Sequence, residues 1–133
     1  MRTILVLFLA VTGFGCGYSK KNQNQMTQPG IVPMVAQLNP ASAIRGGSDF
    51  TLEVDGSNFN ANAVVNWNGA PRANKEAPTA NKLHVIIPAS DIATAGKAQV
   101  TVVNPGSSTP GGPYGGGSNT PSETSNSMTF TIT

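Results

Sequence analysis

Phe50-Thr51-Leu52-Glu53-Val54-Asp55 sets apolar and polar residues in strict alternation. Successive side chains of a β-strand point to opposite faces, so this spelling makes one dry face and one wet face. The same period of two recurs in both directions along the chain. Ala63, Val65 and Trp67 alternate with Val64, Asn66 and Asn68, and Leu83, Val85 and Ile87 alternate with Lys82, His84 and Ile86. Val100 and Val102 follow, and Met128, Phe130 and Ile132 alternate with Ser127, Thr129 and Thr131. Upstream, Met34, Ala36 and Leu38 spell an opening strand that ends at Asn39-Pro40. No segment sustains the i, i+3, i+4, i+7 spacing of an amphipathic helix.

The residues between these runs are turn formers. Gly46-Gly47 precedes the strand at Phe50, and Asp55-Gly56 is expected to turn the chain after it. Asn68 and Gly69 both accept positive φ and predict a tight hairpin. Ala70-Pro71-Arg72 then reads as a short edge strand, where proline is tolerated. Ser90 is expected to cap one helical turn through Asp91–Ala95, ended by Gly96. Six or seven short strands in residues 33–133 predict an all-β fold, a two-sheet antiparallel sandwich packed around Trp67.

Composition agrees. Of 133 residues, 62 are Gly, Pro, Ser, Thr or Asn, and only 11% are charged, against about 25% in ordinary domains. A helical bundle or coiled coil needs the opposite bias. Residues 33–133 hold five basic and six acidic side chains, a balance that excludes a phosphate-binding footprint and with it a nucleic-acid partner.

The N-terminus reads as an address. Met1-Arg2-Thr3 is followed by eight apolar residues, Ile4 to Val11, too few for a span that needs about 20. A charged start, a short apolar centre and then small residues form a secretory signal over residues 1–15. Leu9 to Cys16 resembles a bacterial lipoprotein signal, with Gly15 before the cysteine as in that pattern and Gly13-Phe14 departing from it. The resemblance implies cleavage after Gly15 and lipid attachment at Cys16, the only cysteine. Gly13-Phe14-Gly15 also satisfies an ordinary small-x-small cleavage site, which would leave Cys16 as a free thiol. Residues 16–32 are polar and aperiodic and are expected to form a lipid-anchored flexible tether. By the same resemblance, the non-acidic Gly17 implies transport to the outer membrane of a double-membraned cell. The alternative location is secreted or periplasmic.

Taken in order, the strand and turn residues resemble a known family. Leu38-Asn39-Pro40, Gly46-Gly47, Phe50-Thr51-Leu52 and Gly56-Ser57-Asn58-Phe59 are followed by Val65-Asn66-Trp67-Asn68-Gly69 and Leu83 to Pro88. Val100-Thr101-Val102-Val103-Asn104-Pro105 and Phe130-Thr131-Ile132 complete the series. The succession is similar to an IPT/TIG domain, an immunoglobulin-like module of cell-surface receptors, some transcription factors, carbohydrate-active enzymes and bacterial surface proteins. It covers residues 33–133. One stretch departs: in 105–127, 21 of 23 residues are Gly, Pro, Ser, Thr or Asn, where typical members have a shorter turn. Disorder or a loose hairpin is expected there. Tyr114, alone among glycines and prolines, is a candidate exposed contact.

No pattern of catalytic chemistry accompanies this frame. The one histidine, His84, has the parity of Lys82 and is expected on the surface, away from a nucleophile. There is no GxSxG elbow, phosphate loop or HExxH. Asp49, Glu53 and Asp55 are expected on one solvated face, and no metal or other cofactor is expected. The sequence therefore points to a non-enzymatic, exported, membrane-anchored binding or spacer module. Its expected partners are the membrane, through Cys16, and an envelope protein or glycan. The alternative is a polysaccharide-recognising accessory subunit of a carbohydrate-active or transport system.

Overall fold

A computed structural model describes residues 26, 27 and 29–133. Its strands are β1 (Met26–Thr27), β2 (Met34–Asn39), β3 (Ser42–Ala43), β4 (Phe50–Ser57), β5 (Val64–Trp67) and β6 (Ala70–Arg72). They continue with β7 (Lys82–Ile87), β8 (Gly96–Asn104), β9 (Ser107–Thr109), β10 (Ser118–Thr120), β11 (Glu123–Thr124) and β12 (Met128–Ile132). Among the described residues no helix is long and apolar enough to cross a membrane.

Two sheets face each other. One has the order β2-β4-β7; the other runs β3-β12-β8-β5-β6, with β11 beside β8. The first, second and fourth long strands thus oppose the third, fifth and sixth, the partition of an immunoglobulin-like sandwich. The short β3, β6 and β11, and three strands outside the sandwich, bring the described total above the six or seven expected. The chain changes sheets after β6, where the Ala73 carbonyl accepts from Ile86 and the Lys75 N–H donates to the His84 carbonyl along the outer edge of β7.

The alternating apolar residues fill the interior as their parity requires. Leu52, Val54, Val65, Leu83, Val85, Ile87, Val100 and Val102 are all buried. Phe130 lies at the centre: its ring is 5.0 Å from Trp67 in its own sheet and 5.6 Å from Phe50 in the opposite one, centroid to centroid. Asn68 and Gly69 take φ of 50° and 83° and form the expected hairpin between β5 and β6.

Three local expectations are corrected. In β2 the buried residues are Val35 and Leu38, whereas Met34 and Ala36 face outward, because a bulge between Val35 and Gln37 shifts the register against β4. The chain does not turn at Asp55-Gly56: β4 runs on to Ser57, and the turn falls at Asn58, with φ of 62°. Gly56 is needed for a different reason, since a Cβ there would collide with the Met34 carbonyl oxygen of the neighbouring strand and lie 2.6 Å from the Phe59 ring. The helical turn is a 3-10 turn over Ala89–Ile92, which Ser90 does not cap. Asp49, distant in sequence, accepts from the Ala89 N–H at 2.8 Å instead.

Candidate functional site

Within 105–127, residues 107–120 form a projection. β9 and β10 pair as an antiparallel hairpin, and β1 adds to β10 in parallel, opposing Met26 to Ser118 and Thr27 to Asn119. These three strands pack on one another rather than on the two sheets, so they stand off the sandwich as an arm. At its tip the Gly115 N–H donates to the Gly112 carbonyl at 2.9 Å, closing a turn around Pro113 and Tyr114. Tyr114 is 100% exposed. Gly15 and Cys16 lie outside the described residues. Part of the stretch expected as a tether, Met26–Thr27, is strand, and Pro33 is buried in the sandwich.

The base of the arm is tied down by Asn104, the one buried polar side chain among the described residues. Its Oδ1 accepts from the Asn60 N–H at 3.0 Å, and its Nδ2 donates to the carbonyls of Ile31 at 2.9 Å and Asn58 at 2.7 Å. Its own carbonyl accepts from the Ser122 hydroxyl at 3.3 Å. One residue therefore joins the incoming chain and the loop after β4 through its side chain, and the returning limb of the arm through its carbonyl. Further along that limb, Asn126 replaces a neighbouring strand for one residue of β2. Its Oδ1 accepts from the Val35 N–H at 2.8 Å and its Nδ2 donates to the Val35 carbonyl at 2.9 Å. Beside it, the Ser125 hydroxyl accepts from the Val102 N–H at 2.8 Å and fills the gap between β11 and β12. Sequence reasoning missed both anchors. Asn104 carried a signal, because it shares the parity of Val100 and Val102; Asn126 sits in a polar run that gave none.

The two outward sheet faces differ in character. On β4 and β7, Glu53 stands opposite His84 and Asp55 opposite Lys82. Lys82 Nζ is 3.1 Å from Glu53 and 3.5 Å from Asp55, and His84 Nε2 is 2.9 Å from Glu53 while its Nδ1 meets Glu76. Both ring nitrogens face carboxylates. His84 is thus on the surface, as expected, with carboxylates around it. Asp49 is not part of this face, being engaged at Ala89. Hydrogen bonds from His84 and then Lys82 hold the Glu53 carboxyl below its ordinary value of 4.5, and the bond to Glu53 holds Lys82 above its ordinary 10.5. A carboxylate with a depressed folded pKa stabilises the fold above its unfolded value and ceases to do so as pH falls through the folded one. Stability is therefore expected to fall on acidification below about pH 4.5, and Glu53→Gln to flatten that slope. Urea melts of both proteins between neutral and acidic pH check this.

The other face, on β5, β8 and β12, presents Asn66, Gln99, Thr101, Thr129 and Thr131, with Lys97 its only charge. At the edge of this sheet Arg72 grips Asp91 with two bonds, one through Nε and one from Nη2 to Oδ1 at 2.7 Å, which pins the 3-10 turn to β6. Those bonds raise the Arg72 guanidinium further above its ordinary value. Among the described residues no three His, Cys, Asp or Glu side chains gather as a metal site would require. Asn58 Nδ2 donates to the Val32 carbonyl of the incoming chain, and Asn60 Oδ1 accepts from the Asn62 N–H within the loop.

No protein-family model matches the chain, and no curated protein matches it.

Proposed function

We propose that the protein is a non-catalytic cell-envelope lipoprotein. In this reading the signal is cleaved behind Gly15, Cys16 carries the lipid, and an IPT/TIG-type sandwich contacts an envelope protein or glycan or holds a spacing from the membrane. The observation that carries the reading is the arm: a hairpin that stands off the sandwich and exposes one aromatic ring completely. A contact surface of this form works by shape and hydrogen bonding. His84, the one histidine, is occupied by two carboxylates and so supports a structural rather than a catalytic role.

The intact mass of the mature protein from membrane and soluble fractions tests the proposal. A membrane-bound species beginning at Cys16 with acyl mass, absent from a Cys16→Ser variant, is the expected result. A soluble, unmodified species beginning near Cys16 overturns it and makes the protein a secreted domain with a free thiol.

The polysaccharide-recognising alternative draws support from the uncharged row of Asn66, Gln99, Thr101, Thr129 and Thr131, which offers hydrogen-bonding groups without competing ion pairs. A glycan-binding screen of the wild type and Tyr114→Ala separates the two, since binding in neither removes the accessory-subunit reading.

A further inference from the structure

The direction of β1 sets which end of the protein an anchor on Cys16 would pull toward a membrane. β10 runs from the tip of the arm back to its base, and β1 lies parallel to it, so the backbone at Met26, followed toward the N-terminus, points to the tip. Ten Cα steps separate Met26 from Cys16, a reach of at most about 33–36 Å. Ser118, level with Met26, begins β10, and the turn that carries Tyr114 lies just beyond it, on the side to which the backbone at Met26 points. The tip therefore lies beyond the sandwich on the side to which the backbone at Met26 points.

The composition of that end suits a lipid surface. No charged side chain occurs from residue 105 to 122. At the base of the arm, where the Ile31 carbonyl meets Asn104, three large apolar side chains are open to solvent: Ile31 at 66%, Val32 at 50% and Met34 at 57% exposure. Tyrosine favours the membrane–water boundary, where its ring meets acyl chains and its hydroxyl meets headgroups. The charged clusters lie elsewhere, on the β4–β7 face and at the Arg72–Asp91 clamp.

We infer that the arm is the membrane-facing end of the protein, with Tyr114 seated among lipid headgroups and the opposite end, marked by Ile44, turned outward. This rests on acylation of Cys16 proposed above. Ile44 follows β3, beside the C-terminal end of β12, and is likewise exposed, so it reports the far end.

The test uses full-length acylated protein, its acyl mass verified, in phosphatidylethanolamine–phosphatidylglycerol vesicles with and without brominated acyl chains. Tyr114→Trp and Ile44→Trp each add one reporter to the buried Trp67, and the wild type supplies the Trp67 background. Emission from Trp at 114 is expected to shift to the blue and to be largely lost on brominated lipid, while the Ile44→Trp and wild-type signals stay unchanged. Acylated protein whose Tyr114→Trp emission ignores brominated lipid overturns the inference and leaves the anchor standing. Equal quenching at both positions also overturns it. A response to purified cell-wall polysaccharide in place of lipid reassigns the arm to glycan. Protein without acyl mass removes the anchor and this inference together.

Discussion

Asn104→Leu is expected to lower the unfolding free energy by at least about 3 kcal/mol, since it orphans three partly buried backbone groups at roughly 1–3 kcal/mol each. Those groups are the Asn60 N–H and the carbonyls of Ile31 and Asn58. Leucine has the same branching and is bulkier than asparagine, so the loss does not come from a cavity. Urea melts followed by Trp67 fluorescence measure it. Asn104→Asp makes the argument sharper. It keeps the acceptor for Asn60 but turns an oxygen toward two carbonyls, so at neutral pH it is expected to cost at least as much as leucine. Part of that loss is expected to return at acid pH, where the protonated carboxyl regains one donor. An aspartate variant as stable as the wild type at neutral pH overturns the role given to Nδ2. Because the same residue anchors Ile31 and, through its carbonyl, Ser122, the amides of the arm are expected to lose hydrogen-exchange protection before those of Leu52 or Val85.

Asn104 also shows what the sequence carried and what it withheld. The long strands were legible because a half-buried strand must alternate, and Leu52, Val65, Leu83, Val100 and Phe130 took the interior places that alternation allots them. The same rule places Asn104 inward, and a polar residue at an inward place declares a buried bonding network. Expectations failed where a long-range partner overrides local spelling. The bulge in β2 depends on β4 beside it, and Asn126 then satisfies Val35 across 91 residues. Asp49 caps a turn 40 residues away while the nearby Ser90 does not. Gly56 was legible as a required glycine, but its reason, the neighbouring Met34 carbonyl, exists only once β2 and β4 are paired. The arm was the least legible element. Its Gly- and Ser-rich composition fits a loose segment, and its order comes from β1 and from the Asn104–Ser122 bond at its base.

Phe130→Ala is expected to cost about 3–5 kcal/mol, the range for emptying a fully buried aromatic site. A domain of about a hundred residues has roughly 5–15 kcal/mol in total, so this one substitution removes a large part of its stability. The reason lies in position. Phe130 stacks on Phe50 across the two sheets, at 21° between planes, and tilts against Trp67 at 56° within its own sheet, so its loss separates layers as well as leaving a void. Phe130→Leu retains most of the volume and is expected to lose only about 1–1.5 kcal/mol, in the range of volume-conserving exchanges. Trp67, the sole tryptophan, reads both variants directly, and the alanine protein should show a red-shifted emission as water reaches the indole. Tyr114→Ala is the matched control. Its side chain is wholly exposed at the tip of an arm that does not pack on the sheets, so its melt should superimpose on that of the wild type. If it does, the frame that Phe130 holds and the surface that Tyr114 presents are energetically separate. Any change in membrane or glycan binding caused by Tyr114→Ala then reports a lost contact and not a weakened fold.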